Sequence, residues 1–309
     1  MKGLSSDILD RAEFGQPGDG LLNDRRFAFL FAGAEGGEPF KAGSWLHKQH
    51  FLSAFSRTAL VTAWKTAFDD ATHTLTVRAR RTGQPTATAP TLLTACLSED
   101  DGIAAAEAFF SEACDEPVEL VDGAATKHQF GNTRSGLDAS GDLRTIHIVN
   151  ANTVRALSDA AGVALDPRRF RPNLVLHGSL PPFEEFRWVG GALKVGDDVT
   201  MRVIKRTIRC DAVTLWGPGT AEAGVSGGDC GASVDVPALL KQHFPEHGPY
   251  LGVYAQVETP GTVYAGDAVV PLQVPAAAAP QGGWVWRLLR GLLLAVVAAY
   301  ALVVFFPAM

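Results

Sequence analysis

The residues best equipped for chemistry lie in two segments of the second half, DPRRFRPNLVL at 166–176 and VIKRTIRCDA at 203–212, separated by the glycine turn WVGGALKVGD at 188–197. What they share is a thiol, Cys210, set among guanidinium groups. Cationic neighbours favour the thiolate, the form that ligates soft metals or attacks sulfur and carbon. Alternation along a strand puts Lys205, Thr207 and Arg209 on one face, with Arg206, Ile208 and Cys210 on the other. Arg169 and Arg171 precede a second strand, and Asn173, two residues beyond Arg171, shares its face and adds an amide. Taken alone this pattern leaves two readings open, because a single cysteine is more often a small core hydrophobe and Arg-rich strand ends are more often solvated.

The elements that must position these residues are mostly strands. Residues 20–95 alternate apolar runs with turn signals (RRFAFLFAG, HKQHFLSAF, ALVTAWKTAF, HTLTVRARR), which reads as a β-rich first domain. IAAAEAFFSEA at 103–113 has helical spacing and follows Glu99, Asp100 and Asp101, a favourable start for a helix. Residues 126–141 are polar and contain glycine, as in a loop. From Leu143 a second architecture begins: RTIHIVN is a strand, Asn152 or Thr153 caps the helix TVRALSDAAG, RPNLVLHG is the next strand, and VPALLKQHF carries one more helix before Leu272. The fold class expected is mainly β with a few helices (α+β), closed or nearly closed into a barrel, after a smaller barrel-like β-domain. The organisation expected is a first domain at 1–100, a helix and loop connection at 101–142, the second domain at 143–273, and a linker at 274–283.

Residues 284–309 form a transmembrane anchor in this reading. Gly291 to Phe306 is an uninterrupted apolar run of 16 residues, extended backward by Leu288 and Leu289 towards the roughly 20 residues that span a bilayer. Arg287 and Arg290 precede it, Trp284 and Trp286 fall at headgroup depth, and the positive-inside rule then leaves the N-terminal body in the cytoplasm.

Composition excludes several function classes. With 27 basic and 33 acidic residues, net charge -6, there is no basic stripe for nucleic acid. Cys96, Cys114, Cys210 and Cys230 are widely separated and form no C-x-x-C pair, so reduced thiols are expected rather than a zinc site or disulfide framework. Neither a dinucleotide-binding nor a P-loop glycine pattern opens a helix after a strand.

These segments, in this order, resemble the MOSC domain, named for the C-terminal domain of molybdenum-cofactor sulfurases. That family carries an R-F-R-x-N segment (here Arg169 to Asn173), a W-x-G-x-x-L turn (Trp188 to Gly196), a basic strand ending in R-C (Lys205 to Cys210), and a long G-V-Y-A block (Gly252 to Asp267, GVYAQVETPGTVYAGD). VNANT at Val149 to Thr153 is similar to its helix entry. KGLS at Lys2 to Ser5 and NDRRFAF at Asn23 to Phe29 are similar to the β-barrel domain that often precedes MOSC. The loop after Cys210, TLWGPGTAEAGVSGGDCGASVDV, departs from the V-D-P-x-T-G-like turn of relatives and contains Cys230.

The resemblance implies a molybdenum cofactor (molybdopterin), with Cys210 as both catalytic residue and metal ligand. Lys2, Arg25, Arg171 and Arg209 would meet the phosphate and polar edge of the pterin, and Asn173 and Tyr254 would lie near it. In the amidoxime-reducing members the implied reaction is a two-electron reduction of a small N-oxygenated substrate. Four scattered cysteines cannot supply plant-type iron–sulfur ligation, so the electrons would come from a separate flavin or iron–sulfur protein. Two alternatives stay open: a sulfur carrier that receives a Cys210 persulfide from a pyridoxal-phosphate cysteine desulfurase, and a membrane-anchored scaffold without metal. The style of the motifs suggests a bacterial inner membrane.

Overall fold

The computed structural model describes residues 4, 6–32, 48–53, 56–79, 89–123, 145–210, 213, 234–273 and 301–304. In chain order the strands are β1 (Arg11–Phe14), β2 (Phe27–Phe31), β3 (Trp64–Asp69), β4 (Thr74–Ala79), β5 (Thr91–Cys96), β6 (Val118–Asp122), β7 (Ile146–Asn150), β8 (Leu174–Gly178), β9 (Ala192–Val195), β10 (Val199–Ile208), β11 (Tyr250–Thr259), β12 (Gly261–Tyr264), β13 (Ala268–Gln273) and β14 (Ala301–Val304). The α-helices are α1 (Thr58–Thr62), α2 (Asp100–Cys114), α3 (Ala151–Ala161) and α4 (Val236–His243). Mainly β architecture with few helices is what the sequence predicts.

Seven strands close a barrel in the order β10-β11-β7-β8-β14-β13-β9. The β7–β8 pair is parallel, with helix α3 in the crossover, and the other neighbours are antiparallel. Val253, Ala255 and Val257 of β11 point into the barrel with Ile146, Ile148, Met201 and Val203. Period-two alternation therefore turns Tyr254 to the opposite, outer face. Asn150, rather than Asn152 or Thr153, caps α3: its side chain accepts from the Asn152 N–H at 2.9 Å. Thr153 is fully buried and donates to Glu185 instead, at 3.0 Å.

The first half places β2 against β6 and β3-β4-β5 in a second small sheet, so among the described residues it forms two open sheets rather than one closed barrel. Both share a core in which Phe29 and Trp64 pack against Phe110 of α2. Because β6 pairs with β2, this unit runs past residue 100 to Asp122. Strand β1 leaves it altogether and pairs with β12.

Four residues of the C-terminal apolar run are paired in the barrel and not in a membrane-spanning helix: Ala301–Val304 lies between β8 and β13. The stretch Ala-Leu-Val-Val suits a strand, and it satisfies two edges that would otherwise be open. The rest of the anchor and the 274–283 linker lie outside the described residues. Among the described residues no helix is long and apolar enough to cross a membrane.

Candidate functional site

The site is built on the outer face of the barrel where the N-terminal segment covers it. Three cross-strand neighbours form a row there: Lys205 on β10 is opposite Tyr254 on β11, which is opposite His147 on β7. Continued alternation from Val199, Met201 and Val203 would have sent Lys205 into the barrel. A register shift between Val203 and Lys205 turns it outward, a bulge re-aiming a side chain beside a site. The Lys205 ammonium lies 6.0 Å from the Tyr254 ring centroid, and the His147 and Tyr254 centroids are 5.3 Å apart.

Two turns deliver the arginines. A 3-10 turn at Pro167–Phe170 is capped by Asp166, which accepts from the Arg168 N–H at 2.7 Å and pairs with the Arg168 side chain. Arg169 in that turn is 1% exposed and donates to the Val213 carbonyl at 2.7 Å, pinning the chain just after Cys210. Arg171, which ends the turn, has φ 52°. In the N-terminal turn Arg25 has φ 54°, pairs with Asp24, and is followed by Arg26, whose guanidinium grips Asp122 at 2.8–3.1 Å. A left-handed backbone at a residue with a Cβ costs roughly 1–2 kcal/mol. Here that strain falls on Arg25 and Arg171, which face the same cleft.

That cleft, of about 140 Å³, is lined by Arg25, Arg171 and Asn173 together with Asp7, Asp24 and Asp70. Asn173 joins its two walls: its carbonyl oxygen accepts from the His147 N–H at 2.9 Å, and its amide donates to Asp24 at 3.0 Å. Arg171 makes no side-chain hydrogen bond among the described residues. Burial pushes its pKa down to about 10, and the charge of Arg25 adds to the effect. Arg209 donates to the Phe170 carbonyl at 3.2 Å and lies over the Phe170 ring, yet its Nε is buried with no partner. Burial also lowers the Arg209 pKa, with Tyr254 and Cys210 opposing that shift. Guanidinium groups with an orphaned donor have the chemistry to receive an anion, beside the carboxylates of Asp7, Asp24 and Asp70.

The structure thus brings Arg25, Arg171 and Asn173 into one cleft and links Arg209 and Tyr254 to it through His147. Cys210 is beside Arg209, just beyond β10, and is exposed. It does not line the cleft. Lys2 and Cys230 lie outside the described residues. Two residues escape sequence reasoning. His147 is 4% exposed and bonds to Arg209 and to Arg171, its only signal being one polar residue in the apolar strand IHIVN. Glu185 is fully buried among Thr153, Asn150 and the Gly252 N–H, and its pKa is pushed up by burial to about 7, the hydrogen bonds opposing.

Residues 126–270 match the family model of the MOSC domain. The match takes in the barrel strands β7 to β11, the turn bearing Arg171 and the strand end bearing Cys210. The chain is a MOSC domain-containing protein. Among solved structures, YiiM from Geobacillus stearothermophilus is similar at 15% identity and a TM-score of 0.30, over 43% of this chain and 56% of that one. The match therefore spans little more than half of that protein's length. No curated protein sequence matches.

Proposed function

We propose that this MOSC protein binds a pterin molybdenum cofactor through the arginine cluster and Cys210, and that it reduces small N-oxygenated substrates with electrons from a separate donor protein. The observation that carries the reading is the buried, unpartnered Nε of Arg209, joined through His147 to the turn that presents Arg171 to the cleft. A phosphate accepts from such forks bidentately, and three arginines with only Asp24 paired among them leave donors to spare. Arg25, Arg171 and Arg209 would hold the phosphate, and the exposed Cys210 thiol would take the metal, which soft thiolate suits. Asn173 holds the cleft walls together, while Tyr254 packs on His147 behind it. Once bound, the cofactor supplies the two-electron redox chemistry; the protein supplies binding, orientation and charge.

Exposure of Cys210 favours a second reading, since a thiol at the open end of a strand can be reached by a cysteine desulfurase and carry a persulfide. Metal and pterin analysis of the full chain separates the two. Stoichiometric molybdenum and pterin that disappear in Cys210→Ala support the reductase; a Cys210 persulfide without molybdenum supports the carrier. Neither signal leaves a non-catalytic scaffold.

The apolar run after Arg290 supports a further part of the proposal, a single-pass anchor with the body on the cytoplasmic face of a bacterial inner membrane. Insertion as an anchor would release residues 301–304 from their pairing with β8 and β13. Deleting residues 284–309 is expected to move the protein from the membrane pellet to the supernatant, and retention in the pellet refutes the tether.

A further inference from the structure

His147 makes most of its polar contacts with the segments that carry the arginines, and its ring also faces the Leu251 carbonyl. Its backbone N–H goes to the Asn173 side chain at 2.9 Å, and its carbonyl accepts from the Asn173 N–H at 2.8 Å. The ring Nδ1 is 3.4 Å from the Arg171 carbonyl, and Nε2 is 3.4 Å from Nη1 of Arg209. These partners fix the ring's chemistry. A guanidinium can only donate, so Nε2 must accept; a carbonyl can only accept, so Nδ1 must carry the proton. These two contacts select the same neutral tautomer; the Leu251 carbonyl pulls the other way but is the weakest of the influences on the ring, and an imidazolium would set an N–H against the Arg209 cation.

Gly252 shows that room is kept for this ring. It has φ +77°, and a Cβ there would come within 2.8 Å of His147 Nε2 and 2.6 Å of the Ile148 carbonyl. The strand opposite the imidazole is held open, at a backbone angle that L side chains rarely adopt.

We propose that His147 is a positioning residue for the anion site: its neutral imidazole accepts from Arg209 and donates to the backbone of Arg171, and so aims both guanidinium groups at one bound phosphate. The inference rests on the phosphate-binding part of the proposed function. It also gives Arg209 its direction. With Nη1 held by His147 and Nη2 by the Phe170 carbonyl, Nε is the buried nitrogen left without a partner. Burial and the charge of Arg209 keep the imidazole neutral, with Arg25 acting in the same sense from the N-terminal turn.

The test uses the full chain, expressed in a host that makes no molybdenum cofactor, with inorganic pyrophosphate as the calorimetric probe. His147→Phe keeps the ring volume beside Tyr254 but neither hydrogen bond, and should weaken pyrophosphate by about 10-fold, the effect of one lost charge-assisted hydrogen bond. His147→Gln restores an acceptor near the Nε2 position and should recover most of that loss. A purely structural histidine would give the same pyrophosphate affinity in all three proteins while the melting temperature moved. Proton–nitrogen correlation spectra of the histidine ring provide an arm independent of folding variants. They should show an Nδ1–H tautomer, and an Nε2–H or doubly protonated ring overturns the proposal. So does an absence of pyrophosphate binding to the wild type. If the affinities follow the series but protein from a cofactor-producing host holds no molybdenum, the cofactor reading falls and His147 stands. If molybdenum is held and His147→Phe keeps its pyrophosphate affinity, His147 alone falls.

Discussion

A buried carboxylate and a half-buried pair of arginines lie near Gly252 of β11, and the protein treats them in opposite ways. On one side the Glu185 carboxylate receives Thr153, Asn150 and the Gly252 N–H, so its acceptor oxygens are met within the fold. On the other, past His147, Arg171 has no hydrogen-bond acceptor among the described residues and the Nε of Arg209 has no partner. Burying a charge is unfavourable in both places. The carboxylate cluster is closed and works as structure, tying β7, α3 and β11 together. The guanidinium cluster is open, and the missing acceptor is most economically an incoming anion. Arg26 and Arg169 make the same contrast locally. Each is a close chain neighbour of a cleft arginine, and each is fully engaged, with Asp122 and with the Val213 carbonyl.

The sharpest way to break this comparison is to remove the open charge. Arg171→Met should lower affinity for the phosphate-bearing ligand at least 100-fold, about 3 kcal/mol for a lost bidentate charged contact. It should also raise the melting temperature of the ligand-free protein, because a half-buried cation without a hydrogen-bond partner is replaced by a side chain of similar length. A fall in that temperature would mean that Arg171 is a structural residue like Arg169. Calorimetric binding and thermal melts of the same samples read both effects.

Removing the closed charge should do the reverse. Glu185→Ala leaves the Thr153 hydroxyl and the Gly252 N–H without their acceptor and should destabilise the fold by about 2 kcal/mol in urea melts, with little effect on phosphate affinity. The pH dependence adds a finer test. The folded-state pKa of Glu185, about 7, is raised above the ordinary carboxyl value, so the folded state holds more protons than the unfolded chain between roughly pH 4.5 and 7. Stability from this group is therefore greatest below that window, declines as pH rises through it and levels off above. Melts across that range should show the decline in the wild type and lack that component in Glu185→Ala. An unchanged slope would place the titration elsewhere.

Much of the barrel was legible because its signals are local. The strand RTIHIVN, the helix TVRALSDAAG and the strand RPNLVLHG each announce themselves by periodicity, and structure puts them at β7, α3 and β8. Arg171 and Asn173 were findable as polar residues at the start of a strand, and Arg25 through the resemblance of NDRRFAF to the family's first domain. The relations among them were not. The Asn173 amide meets Asp24 across 149 positions and meets His147 across 26, and no pattern within a window reports such contacts. The bulge before Lys205 likewise breaks an alternation that reads as unbroken in the sequence VTMRVIKRTI. The capping of α3 went to Asn150 because Thr153 was drawn into the Glu185 cluster, a tertiary demand overriding a local preference.

Strand β1 has a consequence for how the molecule comes into being. Its partner β12 lies near the far end of the barrel sequence, with Arg11 opposite Tyr264 and Phe14 opposite Gly261. A ribosome adding roughly 5–20 residues each second needs on the order of ten to fifty seconds between making one strand and making the other. Throughout that interval the segment leading to the Arg25 turn has its sheet edge unsatisfied, and the cleft it helps to wall does not yet exist. Binding of the proposed anion would thereby be deferred until synthesis of the barrel is nearly finished.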